Sequence, residues 1–189
     1  MDVSNIITTP VILSAIPVFF LFIFAEIIAV RYFNQRGSLH AKDDSVSIFM
    51  GLFSVLTNGA AAFLTLGMLV WAQQFQIYAL PLTWTTLIAC FVADDLRYYL
   101  HHRIAHRCRW PWAMHIIHHS SQRISFAVAL RQGWTKHFTG TTILKVPLVL
   151  IGFDPLMVIF CGALNAVYQF FLHTDTVEKL PRWVEAVFN

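Results

Sequence analysis

Long apolar runs separated by short polar segments dominate this chain. The first run extends from Pro10 to Val30, the second from Val46 to Val70, and the third from Ile77 to Val92. A helix needs about 20 mainly apolar residues to cross the hydrocarbon core of a bilayer. The pattern therefore predicts an all-α fold, an integral membrane helical bundle with three transmembrane helices.

A fourth apolar region covers residues 141–172 and is interrupted at Gly152–Pro155. Glycine, aspartate and proline favour turns, so the region is predicted as a helical hairpin rather than one long span. We divide the single membrane domain further into a histidine-rich helical region, residues 95–137, and a C-terminal segment, residues 173–189.

The composition agrees with a membrane protein and excludes several other classes. Of the 189 residues, 57% are hydrophobic and only 12% charged, about half the ~25% typical of soluble domains. The net charge of +3 comes without a basic run on a polar surface, so no nucleic-acid partner is predicted. Three cysteines without CxxC spacing do not indicate a disulfide framework.

The distribution of lysine and arginine predicts the orientation in the membrane. Arg31, Arg36 and Lys42 lie between the first two runs, whereas the N-terminal leader and residues 71–80 carry no basic residue. A cluster of arginines follows the third run. By the positive-inside rule, the N-terminus faces out and the histidine-rich region lies on the cytoplasmic side.

Two groups of histidines lie within 18 residues and have helical spacing. They are His102 with His106, and His115 with His118 and His119. Residues three or four apart share one helix face, and a break at Arg109–Pro111 would let the second group turn toward the first. Neutral imidazole suits iron, copper, zinc or nickel. Five candidate ligands exceed the needs of one tetrahedral zinc, so two metals, or one metal with spare histidines, are expected.

Asp95 precedes the first histidine group by about two helical turns. In a continuous helix it lies ~10 Å from His102 along the axis, too far to hold that side chain directly. It can instead orient an imidazole of a neighbouring helix, as carboxylates do at metal sites. The alternative is an ion pair with Arg97 at the membrane boundary.

Four segments together resemble the fatty acid hydroxylase/sterol desaturase superfamily. D-x-x-Y-Y-x-x-H-R-x-x-H occupies Asp95–His106, and W-x-x-H-x-x-H-H-S occupies Trp112–Ser120. A-L-R follows at Ala129–Arg131, and N-A-x-Y-Q-F-F-L-H-T at Asn165–Thr174. The resemblance covers about residues 45–189.

The resemblance implies a membrane oxidoreductase with a non-haem di-iron centre on the cytoplasmic side. Such enzymes use dioxygen and electrons to hydroxylate or desaturate a C–H bond of a lipid, such as a fatty acyl chain or a sterol. Carried over by position, the iron ligands are His102, His106, His115, His118, His119 and His173. Asp95, Gln169 and Arg131 are then candidates for holding these ligands in place, and Gln169 stands where some family members have another histidine. No electron-donor domain is recognised, so an external electron-donor protein is expected.

Family members continue beyond the position of Asn189 into a further histidine box of the H-H-x-x-H-H kind, so we expect this chain to be a fragment of a longer reading frame. Two other classes remain open as alternatives, a haem-binding electron-transfer protein and a metal transporter. A zinc hydrolase is disfavoured because the chain has no HExxH motif.

Overall fold

The protein is described here by a computed structural model that covers residues 2–33, 35–177 and 179–188. Within these ranges all regular structure is helical, which confirms the predicted all-α class. The α-helices are α1 Val3–Ile6, α2 Val11–Tyr32, α3 Ala41–Gln73, α4 Trp84–Arg107, α5 Arg109–His115, α6 Phe126–Ala129, α7 Val146–Ile151, α8 Pro155–Phe171 and α9 Arg182–Phe188. Single 3₁₀ turns occupy His118–Ser120, Lys136–Thr139 and Ile143–Lys145.

Two helices in the described part of the chain, α2 and α3, are long and apolar enough to cross a membrane. Helix α2 covers the first predicted span from Val11 onward, α3 contains the second, and both continue a few residues beyond the predicted ends. Their outward faces carry large exposed apolar side chains such as Leu21, Phe63 and Leu64. Such surfaces suit contact with lipid.

The third apolar run does not form a helix from its start. Residues 77–83 form a turn region in which Ile77 N–H donates to the carbonyl of Leu150. Helix α4 begins only after Thr83, whose side chain caps it by exchanging hydrogen bonds with Thr86. The helix then continues through the first histidine group. Whether α4 crosses the bilayer as a third span stays a prediction.

The apolar region at residues 141–172 is divided at Gly152, which ends α7 with a φ of +133°. A Cβ atom at this position would lie 2.2 Å from the carbonyl oxygen of Tyr78, so the close approach requires glycine. Asp154 then caps α8 by accepting from the N–H groups of Leu156 and Met157.

Helix α8 lies at the centre of the bundle and packs against α2, α3 and α4, whereas α2 and α3 hardly touch each other. A cavity of about 840 Å³ lies between α2 and α3. Its apolar lining includes Ile16 of α2 and Leu56 of α3, and it also reaches His102 and His173. The fold therefore connects an apolar cleft with the histidine region.

Candidate metal centre

Four imidazoles form a tight group at the junction of α4 and α5. The four-histidine group consists of His102, His106, His115 and His119, whose ligand nitrogens all lie within 4.8 Å of one another. The Nε2 atom of His106 is 3.1 Å from that of His102 and 3.3 Å from that of His115. The Nε2 atom of His119 is 3.0 Å from that of His115. Four nitrogens therefore converge on one small volume.

A sharp reversal of the chain brings the two histidine motifs together. Helix α4 places His102 and His106 one turn apart, and Cys108 then takes an extended conformation between α4 and α5. The two helices pack against each other. Helix α5 ends at His115, so the second motif is not one continuous helix as its spacing suggested. His118 and His119 lie instead in the separate 3₁₀ turn at His118–Ser120.

The other two histidines predicted as ligands form a second unit, the anchored pair His118 and His173. Their Nε2 atoms are 3.1 Å apart. The Nδ1–H of His118 donates to the carbonyl of Arg131 at 3.1 Å, and the Nδ1–H of His173 donates to that of Gln169 at 2.6 Å. A carbonyl only accepts hydrogen bonds, so both Nδ1 atoms carry a hydrogen, and in the neutral rings both Nε2 atoms present lone pairs.

The anchored pair touches the four-histidine group. The ring of His118 lies 5.6 Å from that of His115 and 5.2 Å from that of His119, measured between ring centres. All six predicted ligands therefore form one continuous patch, with the anchored pair at one side.

Burial keeps several of these imidazoles neutral. It lowers the pKa of His115 to about 3 and those of His102 and His118 to about 4, and neighbouring histidines add to the effect. Burial also lowers the pKa of His119. Neutral imidazole is the form that ligates a metal.

The donor set fits a transition metal. When both rings of the anchored pair are neutral, their Nε2 lone pairs face each other at 3.1 Å and cannot hydrogen-bond to each other. A cation that accepts both would remove this conflict. The Nε2 separations of 3.0–3.3 Å within the patch match neighbouring ligands around an ion with ~2.1 Å metal–nitrogen bonds. Nitrogen donors of this kind favour iron, copper, zinc or nickel over magnesium or calcium.

Arg131 holds the carbonyl that orients His118. Its guanidinium donates to Ser47 and Ser120 at 3.1 and 3.0 Å and forms an ion pair with Asp43. The side chain is buried. The A-L-R motif pointed to this residue, and the structure shows that its backbone contacts a predicted ligand while its side chain fixes the segment to α3.

Glu26 is a supporting residue that the sequence analysis missed. It is buried on α2, and its carboxylate accepts from the N–H of Phe126 at 2.9 Å and from the hydroxyl of Thr174. Phe126 begins α6, and Thr174 follows His173. An acidic residue buried within an apolar helix was the available signal, because such a residue needs hydrogen-bond partners.

The other two predicted supporting residues behave differently from each other. Gln169 acts through its backbone carbonyl, which accepts from His173. Asp95 contacts no histidine in the described residues. One orientation of the Asn165 carboxamide gives a hydrogen-bond partner to both its nitrogen and its oxygen. In that orientation the amide nitrogen donates to Asp95 Oδ1 at 3.2 Å. The arginine considered as a partner for Asp95, Arg97, forms its ion pair with Asp94 instead.

The fatty acid hydroxylase family profile matches residues 87–189, more than half of the chain. The chain belongs to the fatty acid hydroxylase family. The matched region contains all six predicted ligands. No solved structure gives a significant match.

Relatives of this family member include proteins named alkylglycerol monooxygenase. The one from Danio rerio is 36% identical over 113 residues, 59% of this chain and 24% of that protein. The one from Caenorhabditis elegans is 29% identical over 164 residues, 84% of this chain and 32% of that protein. The one from Homo sapiens is 29% identical over 170 residues, 88% of this chain and 37% of that protein. The chain thus spans well under half the length of these relatives.

Proposed function

We propose that the chain is the histidine-bearing part of a membrane lipid oxygenase that binds two iron ions and uses dioxygen to hydroxylate or desaturate a lipid C–H bond. The main support is the patch of six imidazoles, in which the Nε2 atoms of the anchored pair face each other while both Nδ1 atoms donate to backbone carbonyls. Membership of the fatty acid hydroxylase family adds iron as the metal and a lipid as the substrate.

The residues divide into ligands and supports. The four-histidine group and the anchored pair would hold the metal, and bound iron would supply the oxidising chemistry that side chains lack. The Arg131 and Gln169 carbonyls fix the ring tautomers of the anchored pair. Glu26 fixes the segments that carry those carbonyls and His173.

The cavity between α2 and α3 gives the lipid a route to the histidines. Its apolar walls suit a hydrocarbon chain, and its lining includes His102, His115, His118 and His173. The names of the relatives make alkylglycerols the first substrate class to test. In this proposal the histidines lie on the cytoplasmic side, the N-terminus faces out, and a separate protein donates the electrons.

The test uses the protein that carries this chain, in membranes of a host without its own alkylglycerol-oxidising activity. We expect ¹⁸O from labelled dioxygen to enter 1-O-hexadecylglycerol when a reductant is supplied. The His106→Ala variant should lose both this label and the bound iron. The His40→Ala variant is the matched control, because His40 is exposed at the start of α3. A Soret band would indicate haem and would overturn the proposal. It would also be overturned if the iron-loaded protein oxidised none of alkylglycerols, fatty acids and sterols.

A further inference from the structure

One wall of the cavity is polar and basic, in contrast to the apolar walls formed by α2 and α3. Arg97 of α4 lines this wall together with Lys136 and Lys145, which lie at either end of the segment before α7. No aspartate or glutamate belongs to the described lining of the cavity. A hydrocarbon chain carries no charge, so contact with a lipid tail does not account for three basic side chains in this wall.

The carboxylate of Asp94, which lies near this wall, already forms an ion pair. Asp94 is fully buried and accepts two hydrogen bonds from Arg97, at 2.6 and 3.1 Å. Lys145 Nζ lies against Gly162, where a Cβ atom would meet it at 2.4 Å and Asp94 Oδ2 at 3.6 Å. Within the described residues, neither lysine lies within ion-pair distance of a carboxylate. Asp94 is therefore the carboxylate near Arg97 and Lys145, and it is already paired with Arg97.

Arg97 also has an unused hydrogen-bond donor. Its side chain is only 8% exposed, and its Nη1 atom is buried without a hydrogen-bond partner. A buried donor left unpaired costs ~1–3 kcal/mol, more when it is charged. Burial, and to a lesser degree the charge of Lys145, lowers the pKa of Lys136 to about 8. An anion bound in the cavity would accept a hydrogen bond from Arg97 Nη1 and would offset the repulsion between Lys136 and Lys145.

We propose that Arg97, Lys136 and Lys145 bind the anionic headgroup, a phosphate or carboxylate, of a single-chain lipid whose tail lies along the apolar walls of the same cavity. The cavity volume of about 840 Å³ lies within the range of ligand sites. The hydroxyl groups of Thr139 and Thr141, which hydrogen-bond to His101 at 3.2 and 3.1 Å, lie beside the lysines and supply further polar contacts.

The position of this site on α4 indicates which part of the lipid meets the histidines, and this step rests on the proposed function. Arg97 and His102 are five residues apart on one helix, about 7.5 Å along its axis and ~140° around it, and both side chains line the same cavity. A headgroup held at Arg97 therefore places the first few atoms of the chain, rather than the distant tail, near the four-histidine group.

Binding is measured on the purified protein in neutral detergent, without iron or dioxygen, so that the outcome does not depend on oxygenase activity. The probes are 1-O-hexadecylglycerol 3-phosphate, hexadecanoate, the uncharged 1-O-hexadecylglycerol, and glycerol 3-phosphate as a headgroup without a tail. We expect both anionic lipids to bind about 10-fold more tightly than the uncharged lipid, because charge-assisted hydrogen bonds are the stronger ones. Glycerol 3-phosphate should bind weakly.

Two variants assign the effect to the lysines. Lys136→Gln with Lys145→Gln should remove the preference for the anionic lipids and leave binding of the uncharged lipid unchanged, whereas Lys136→Arg should retain the preference. Lys42→Gln is the matched control, because Lys42 is exposed at the start of α3. Equal affinity for charged and uncharged lipids would overturn the proposal, as would a preference that survives in the double variant. Equally tight binding of glycerol 3-phosphate would identify a free-anion site instead and overturn the lipid assignment.

Discussion

The two parts of the histidine patch are built in different ways. Each ring of the anchored pair is fixed through Nδ1 by a backbone carbonyl, and those carbonyls belong to segments that α2, α3 and α8 hold in place. The four-histidine group has no Nδ1 hydrogen bond in the described part of the chain, and its Nε2 atoms approach one another. The fold therefore orients one part in advance, whereas we expect the metal to order the other.

The largest difference should appear when one ring is removed from each part. His115 has ring contacts with His102, His106, His118 and His119, so His115→Ala should lose nearly all iron. His173 contacts His118, so His173→Ala should keep about half if two ions are bound per complete site. Iron per chain is measured by elemental analysis, with His40→Ala as the control. Wild-type iron content in both variants would contradict the ligand assignment.

A smaller effect is expected from the support of the anchored pair. Arg131→Met removes the hydrogen bonds to Ser47, Ser120 and Asp43 but keeps the backbone carbonyl that accepts from His118. Loss of such outer contacts typically lowers metal affinity about 10- to 100-fold, and we expect the lower end because the carbonyl remains. Metal competition with a chelator measures the affinity. Arg182→Met, at an exposed site, is the control, and equal affinity in both variants would show that Arg131 does not position His118.

The smallest effect is a dependence of stability on pH in the metal-free protein. The lowered pKa values of His102, His115 and His118 mean that the unfolded chain binds protons below pH ~6.5 while the folded chain does not. The contribution of these three imidazoles to stability should therefore be constant above that pH and fall as the pH drops toward 4. Thermal unfolding at pH 7.5 and 5.0 measures this, and a midpoint that does not fall at pH 5.0 would contradict it. The fall should be smaller in His118→Gln, which removes one of these imidazoles.

Much of the fold and of the four-histidine group follows from local sequence. The apolar runs predicted α2 and α3, and the spacing of His102 and His106 predicted one helical face, because both depend on residues close in the chain. The start of α4 was not predicted, since it depends on the turn at residues 77–83 contacting the α7–α8 connection.

The anchored pair depended on contacts that spacing does not encode. His118 and His173 are 55 residues apart, and the carbonyl of Arg131 is 13 residues from His118. The resemblance to a family supplied His173 as a ligand, but only the folded chain shows what orients it. Asp95 was nominated from its helical distance to His102 and its place in the family motif, and its contact with Asn165 of α8 depends on how two helices pack.

The contacts of Glu26, Asp43 and Ser47 have a practical consequence for anyone trimming this protein. The segment that matches the family profile starts at residue 87 and contains every predicted ligand, yet these three supports all precede it. A shortened version cut at the profile boundary would keep all the predicted ligands while leaving Arg131 and Thr174 without the groups that hold them. The region matched by the family profile is therefore smaller than the set of segments that hold the predicted ligands in place.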